Sequence, residues 1–259
     1  MHTILITGAG SGIGKATAEL LASRPNTRLL LLGRRIEKLQ EVLNSLENSS
    51  SHSIASVDVS DKNQLISFLD SSEANLKSHP LVGVFANAGI GGPNVFGPDD
   101  KWQKIIDINL TGAYNTCMAA YPWLLKAGEA GIDLRHIAIT SSCLARFGVP
   151  GLPAYISSKT AIMGLVRGLA VEWSKSGILV NAIAPGWVDT AMARSSIQGH
   201  ADMLGKSYDE MLSEVCSVLP TGRMSEPSEI ASLVNYLFSG SQRSITGVTI
   251  DINNGSWMG

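Results

Sequence analysis

The fold of this chain is decided near its start, where residues 4–14 read Ile-Leu-Ile-Thr-Gly-Ala-Gly-Ser-Gly-Ile-Gly. A short apolar run leads into a glycine-rich turn, and an apolar pattern at helical spacing begins near Ile13. Glycine permits a tight turn and a close backbone approach to a pyrophosphate, which the N-terminus of the next helix would attract. Strand, turn and helix in this order predict a dinucleotide site. The expected contacts are Gly8, Ser11, Gly12, Ile13 and Gly14.

Apolar runs and helical segments alternate along the rest of the chain. The predicted strands are residues 3–7, 28–32, 53–58, 81–86, 136–141, 179–184 and 248–252, with clear helices at 36–46 and 227–238. Strands separated by helices imply right-handed crossovers and a parallel sheet covered on both faces. We therefore expect one Rossmann-type, doubly wound α/β domain spanning residues 1–259.

Residues 191–222 form the one long segment without a predicted strand. The segment is too long for a plain connection, and such loops are often lids. Its apolar residues between Met203 and Val215 predict one amphipathic helical stretch. An ordinary surface helix is the alternative.

Composition narrows the class of protein. The 259 residues are 44% hydrophobic and 16% charged, with a net charge of −2, which is typical of a globular domain. No basic run favours nucleic acid, and no apolar stretch approaches the 18 residues of a membrane span. The first strand begins almost at Met1, so we expect no signal peptide. Three scattered cysteines fit a reducing cytoplasm, and five dispersed histidines predict no metal site.

Tyr155 and Lys159 stand four residues apart and share one helical face. A phenol titrates near pH 10, and a neighbouring cation lowers its pKa, which suits a tyrosine that exchanges a proton with a substrate oxygen. Ser142 lies thirteen residues earlier. Tyr-x-x-x-Lys alone is a weak signal, and it gains weight from the glycine turn at the other end of the chain.

These motifs together resemble the short-chain dehydrogenase/reductase family. Residues 7–14, Asn87-Ala88-Gly89, Asn109, Ser142, residues 155–159 and Pro185-Gly186 occur in the family's order and spacing. The resemblance runs from residue 3 nearly to residue 259. It implies that Tyr155 is the general acid/base, that Lys159 lowers the pKa of Tyr155 and holds the nicotinamide ribose, that Ser142 binds the substrate carbonyl, and that Asn109 positions a water.

The resemblance also implies the remaining cofactor contacts. Asn87 would support the cofactor, Thr190 would contact the nicotinamide amide, and Asp58 would contact the adenine, with a cap on the following turn as the alternative. Further implied contacts are Val59, Ala88, Gly89, Pro185, Gly186 and Val188. Two departures from the family pattern, Ala86 and Asn253-Asn254-Gly255, lie outside the catalytic set.

The end of the second strand bears on the choice of cofactor. An acidic residue there would hold the ribose of NAD and repel a 2′-phosphate, but this chain has Gly33 followed by Arg34 and Arg35. Arginine suits phosphate. The sequence favours NADP(H), with NAD(H) as the alternative; two solvated arginines at a helix start would carry no such meaning.

By family position, the substrate pocket is mostly apolar. Its expected lining is Cys143, Leu144, Phe147, Val149, Trp187 and Met192. The lid and residues 90–94 resemble those of reductases acting on β-ketoacyl thioesters and polyketides, so such a ketone is the leading candidate. A cyclic secondary alcohol or a hydroxysteroid is the runner-up. Cys143 is read as a pocket residue, with a nucleophile as the weaker alternative.

Two other classes of protein and the assembly complete the expectations. A non-catalytic dinucleotide-binding protein would have a broken Ser-Tyr-Lys set, whereas this chain has all three residues. A serine hydrolase would need a Gly-x-Ser-x-Gly elbow, which this sequence lacks.

Helices near residues 101–125 and 154–174 carry more apolar bulk than one sheet face needs. Relatives pair such helices, so we expect a homotetramer, or a homodimer. The apolar residues concerned are Trp102, Tyr114, Trp123, Leu165, Leu169 and Trp173.

Overall fold

A computed structural model describes residues 1–95 and 97–259 and contains one parallel seven-stranded sheet. The strands are β1 (His2–Thr7), β2 (Thr27–Gly33), β3 (Ser53–Ser56), β4 (Leu81–Ala86), β5 (Arg135–Thr140), β6 (Ile178–Pro185) and β7 (Thr249–Ile252). Their order is β3-β2-β1-β4-β5-β6-β7. Strand order therefore reverses between β1 and β4, where a doubly wound sheet opens a crevice at its carboxyl edge. The predicted Rossmann-type fold is confirmed.

Helices cover both faces of this sheet. They are α1 (Gly12–Ala22), α2 (Ile36–Ser45), α3 (Lys62–Ser71), α4 (Glu73–Ser78), α5 (Trp102–Ile106), α6 (Gly112–Glu129), α7 (Pro153–Trp173), α8 (Ala191–Leu204), α9 (Tyr208–Ser217) and α10 (Pro227–Leu237). One core layer unites α3, α6 and α7 with the sheet, and the other unites α1, α2 and α10. None of the described helices is both long and apolar enough to cross a membrane.

The strands are apolar on both sides because both faces are covered. In β2, Leu30 and Leu32 enter one core layer while Leu29 and Leu31 enter the other. All four are at most 1% exposed. Burying such a side chain contributes about 1.5–3 kcal/mol to the stability of the fold. This alternation therefore fixes the register of the strand, whose end lies at the carboxyl edge of the sheet.

Three details differ from the predictions. β3 ends at Ser56 rather than Asp58, because Asp58 N donates to the side chain of Gln64 (3.0 Å) instead of to a strand. The predicted lid segment contains two helices, not one, because Gly205 adopts a left-handed conformation (φ 65°) and Ser207 caps the start of α9. A π-helical turn, Asp107–Thr111, joins α5 to α6.

The apolar residues of α5 to α7 divide between the core and the surface. Trp123, Leu169 and Trp173 are buried in the protein's own core, and Trp173 stacks on Tyr121 with centroids 4.4 Å apart. These three therefore do not supply the surplus apolar surface that the sequence suggested. Trp102 and Tyr114 remain exposed.

Candidate active site

The predicted site residues converge on the carboxyl edge of the sheet. Residues following β1, β4, β5 and β6 supply the glycine turn, Asn87, Ser142 and Gly186 respectively. α7 runs beside this edge and carries Tyr155 and Lys159 in its first two turns. The topology thus gathers residues that are far apart in sequence.

The turn between β1 and α1 has the shape of an anion cradle. A Cβ on Gly14 would overlap the carbonyl oxygen of Gly8, so this position requires glycine. The Ser11 side chain does not cap α1, and none of the described side chains accepts from the first amides of that helix. A pyrophosphate would satisfy these amides and the positive end of the helix dipole. The local structure therefore fits a dinucleotide.

Asn87 is held by two threonines at strand ends. Thr7 Oγ1 accepts from the amides of Asn87 and Ala88 (both 3.1 Å), and Asn87 Nδ2 donates to the Thr7 carbonyl (3.3 Å). Thr140 Oγ1 donates to Asn87 Oδ1 (3.1 Å). Sequence reasoning gave neither threonine a role. The signal was present, since β1 and β5 both end in Ile-Thr.

Lys159 is buried and directed towards the strand ends. Its Nζ donates to the carbonyl of Thr140 (2.7 Å) and lies 5.8 Å from the centroid of the Tyr155 ring. Burial lowers the pKa of Lys159 to about 8. Because desolvation disfavours the ammonium, the charge of this lysine is available at neutral pH but is lost within the alkaline range.

The Ser142 side chain lies near enough to the Tyr155 hydroxyl to influence its pKa. Burial raises the pKa of Tyr155, and the neighbouring Ser142 hydroxyl only partly offsets that rise. The sequence predicted the opposite direction, with the pKa lowered by Lys159. Burial dominates here because Lys159 Nζ is engaged by the Thr140 carbonyl and stands several ångströms from the ring.

Asn109 lies in the π-helical turn and is almost fully buried. Its Oδ1 accepts from Ile90 N (2.8 Å), and its Nδ2 donates to Ile90 O (3.0 Å) and Ser158 Oγ (3.2 Å). Ser158 Oγ in turn donates to the Tyr155 carbonyl (2.7 Å). Ser158 thus ties Asn109 to the helix of Tyr155. Nothing in the sequence singled it out.

The close neighbours of Gly89 and Gly12 identify the side chains that meet at this edge of the sheet. A Cβ on Gly89 would lie 3.2 Å from Asn109 Oδ1 and 3.5 Å from Lys159 Nζ. A Cβ on Gly12 would lie 3.1 Å from Cγ2 of Thr190, which caps α8 by accepting from Ala193 N (3.3 Å). The glycine turn, the start of the lid and the Tyr155–Lys159 pair therefore border one crevice.

The two arginines after β2 have different neighbours. Arg35 Nη2 lies 3.5 Å from Ser11 Oγ in the glycine turn. Asp58 accepts hydrogen bonds from the amide and hydroxyl of Ser60 (3.0 and 2.7 Å), as the turn-cap alternative predicts. Burial works against ionisation of Asp58, but these hydrogen bonds and the charge of Arg34 hold its pKa below the usual value. Arg35 is therefore the arginine that lies at the glycine turn.

The expected pocket residues stand after β5, after β6 and at the start of α8. Cys143 is buried, Met192 is exposed, and Leu144, Phe147, Val149 and Trp187 are half-buried. Met192 lies against residue 91 of the opposite loop, since a Cβ there would approach its Sδ to 3.2 Å. In that loop Asn94 Oδ1 accepts from Ala154 N (3.0 Å), which supports the start of α7. Sequence reasoning missed this contact.

Val188 anchors the base of the lid. It forms a bridge with Ser225, and Asp189 N donates to the Ser225 carbonyl (2.9 Å). The residues that precede and follow segment 191–222 are thus bonded to each other. Across residues 1–95 and 97–259, no group of three or more His, Cys, Asp or Glu side chains could hold a metal ion.

Comparisons with known proteins agree with this geometry. The family model described as short chain dehydrogenase matches residues 2–201. The 3-oxoacyl-acyl-carrier-protein reductase FabG of Aggregatibacter actinomycetemcomitans is 32% identical over 258 residues, covering 98% of each chain. A crystal structure of an actinorhodin polyketide ketoreductase variant with NADPH superposes with a TM-score of 0.88 at 28% identity, covering 98% of this chain and 97% of that one. Levodione reductase gives 0.87 at 27%, covering 98% and 96%. The chain belongs to the short-chain dehydrogenase/reductase family of oxidoreductases.

Proposed function

We propose that this protein is an NADP(H)-dependent ketoreductase whose proton donor is Tyr155. The observation that carries the proposal is that buried Ser142 and buried Lys159 both lie beside Tyr155. These groups border the same crevice as the glycine turn. A dinucleotide bound at that turn would supply the hydride, and the protein would supply orientation and the proton.

Each side chain has a distinct task in this proposal. Because burial raises the pKa of Tyr155, the phenol stays protonated at neutral pH and can donate to a carbonyl oxygen. Ser142 donates to the same oxygen and orients the carbonyl. Lys159 stabilises the phenolate that remains after proton transfer. Asn109 is held by Ile90 and Ser158 and keeps the adjoining backbone in place. Tyr155 can then regain its proton after each transfer.

The proposed cofactor preference rests on Arg35 and on the neutral residue before it. Arg35 reaches the glycine turn, and Gly33 presents no carboxylate to repel a 2′-phosphate. The neighbour solved with NADPH supports this choice.

The proposed substrate is an apolar ketone, with a β-ketoacyl thioester or polyketide-like ketone as the leading candidate. The apolar lining after Ser142 and on α8 supports this choice, as do relatives described as a 3-oxoacyl reductase and a polyketide ketoreductase. The similarity to levodione reductase favours the alternative, a cyclic secondary alcohol or ketone. We also propose that residues 191–222 form a lid over the substrate. We further propose a homotetramer, for which Trp102 and Tyr114 offer exposed apolar surface.

A screen of NADPH oxidation tests the proposal. Acetoacetyl thioesters, cyclic ketones, steroids and sugars would be compared, with Tyr155→Phe as the control for background turnover. We expect turnover of the apolar ketones. Turnover of sugars or short carboxylates alone would contradict the apolar pocket, and NADPH binding without any turnover would favour a non-catalytic dinucleotide-binding protein.

A further inference from the structure

Residues 251–257 form a compact segment, which we call the C-terminal bridge. Its first two residues are the last two of β7, at the carboxyl edge of the sheet. Buried Asn253 organises it, since its Oδ1 accepts from Gly255 N (2.9 Å) and its Nδ2 donates to the carbonyl of Trp257 (3.1 Å). The segment is therefore folded into a defined turn.

One side of the C-terminal bridge contacts the end of the lid. Asn254 Nδ2 donates to the carbonyl of Arg223 (2.8 Å). Gly255 packs on Pro220, and a Cβ there would lie 2.8 Å from Pro220 Cγ. The positive φ of Gly255 (79°) adds to this close approach, so another residue would be strained at this position.

The other side contacts the loop that carries Ser142. Arg146 Nη2 pairs with Asp251 Oδ2 (2.9 Å), and its guanidinium lies 4.8 Å from the centroid of the Trp257 ring. Arg146 N also donates to the carbonyl of Cys143 (2.9 Å), which closes the turn directly after Ser142. The buried Ser256 hydroxyl lies against the Cys143 thiol. This loop is thus fastened to the C-terminal bridge from two directions.

The Arg146–Asp251 pair is better shielded than an ordinary surface pair. Its side chains are 20% and 25% exposed, whereas those of the Glu73–Lys77 pair on α4 are 49% and 68% exposed. Shielded pairs are less screened by solvent and salt, and loss of one partner leaves a partly buried charge. A planar guanidinium that stacks on an aromatic ring while pairing with a carboxylate is also fixed in orientation.

We propose that Asp251 and Trp257, acting through Arg146, are positioning residues that hold the Ser142 loop at a set distance from the lid and thereby govern the discrimination between bulky and small ketones. The inference rests on the proposed function, in which the substrate lies between these two walls. Because the C-terminal bridge contacts both walls, it determines the width between them.

The test compares two substitutions that weaken the C-terminal bridge with two controls. Asp251→Asn removes the charge of the pair, and Trp257→Leu removes the ring. Trp257→Tyr keeps an aromatic face for Arg146, and Glu73→Gln breaks the remote exposed pair. For each variant, kcat and KM would be measured with a bulky and a small ketone, together with the Kd for NADPH and the thermal midpoint.

We expect Asp251→Asn and Trp257→Leu to change the bulky-to-small ratio of kcat/KM by about tenfold, with the Kd for NADPH unchanged. Trp257→Tyr and Glu73→Gln should keep the parent ratio. A purely structural role would lower the thermal midpoint and slow both ketones equally, and that result would overturn the proposal.

Hydrogen exchange of the protein without ligand provides a readout that needs no activity. Asp251→Asn and Trp257→Leu should speed amide exchange in residues 143–147 and 219–224 together, and Glu73→Gln in neither. If the parent reduces no ketone, the proposed function fails and exchange alone decides about the C-terminal bridge. Unchanged exchange in both segments, or a change in one segment only, would refute it.

Discussion

The two walls of the crevice are held by different kinds of contact. On the strand side, Lys159 and Asn109 are buried and bond to backbone groups, namely the carbonyl of Thr140 and the amide and carbonyl of Ile90. On the lid side, the side chains of the pairs Arg194–Asp189 and Lys206–Glu214 are between 29% and 62% exposed, and Met203 is 74% exposed. Buried, satisfied groups give fixed geometry, whereas exposed pairs are weak and readily rearranged. Under the proposed function, chemistry and substrate fit are therefore assigned to separate parts of the fold.

The largest expected effect comes from the fixed wall. Tyr155→Phe removes the proposed proton donor and keeps the volume of the ring. General acid catalysis is worth about 10²–10⁴-fold, so kcat should fall by at least 10². The Kd for NADPH, measured by fluorescence titration, should barely change. Retention of a tenth of the activity would remove Tyr155 from the acid role.

A second prediction concerns the opposite end of β5, where His136 is buried beside Gln242. Burial, aided by the charge of Arg24, lowers the pKa of His136 to about 4. In the unfolded chain His136 has its ordinary pKa of 6.5, so between these two pH values it binds a proton that it does not bind in the folded chain. Stability should therefore fall as pH drops from about 6.5 to about 4, by at most about 3 kcal/mol.

The measurement for His136 is urea unfolding across that pH range. His136→Gln should flatten the fall in the free energy of unfolding, whereas His200→Gln, at an exposed position on α8, should leave it unchanged. Equal slopes for the parent and His136→Gln would show that other groups cause the acid sensitivity.

The sequence predicted the strand side of the crevice better than the lid, for physical reasons. Strands such as β1 and β4 are continuous apolar runs, and the glycines of the turn are required by backbone geometry, so both leave marks in a single sequence. The direction of the Tyr155 pKa left none, because it depends on how much of the tertiary structure buries the phenol. The same holds for Ser158, whose importance comes from its neighbour Asn109.

The sequence does contain a signal for the division of the lid into α8 and α9. Ser207 and Glu210 form a capping box, the standard start signal of a helix, two residues after Gly205. The π-helical turn at Asp107–Thr111 had no such signal. Trp123 and Trp173 were assigned to an interface because periodicity shows that a helix face is apolar but not which partner covers it.

A third prediction sharpens the comparison at the cofactor end. One charged hydrogen bond is worth roughly 1.5–3 kcal/mol, so a contact between Arg35 and a 2′-phosphate could favour NADPH by about 10- to 150-fold. Gly33→Asp combined with Arg35→Ala should reverse the preference, read as the ratio of kcat/KM with NADPH and NADH. Arg34→Ala alone should have the smaller effect, because the charge of Arg34 acts on Asp58. Equal kcat/KM with both cofactors in the parent would contradict the proposed preference.

The smallest effect is expected on the lid. Lys206→Gln breaks the pair with Glu214, whose Nζ–Oε1 distance is 2.6 Å and whose side chains are 36% and 50% exposed. Exposed pairs contribute about 0–1 kcal/mol, so the thermal midpoint should shift by no more than a few degrees and kcat should stay within about twofold. Glu214→Gln should match it, because either change removes the same interaction. If Lys206→Gln lowered kcat as much as Tyr155→Phe, the lid would be part of the fixed machinery, and the contrast between the two walls would be wrong.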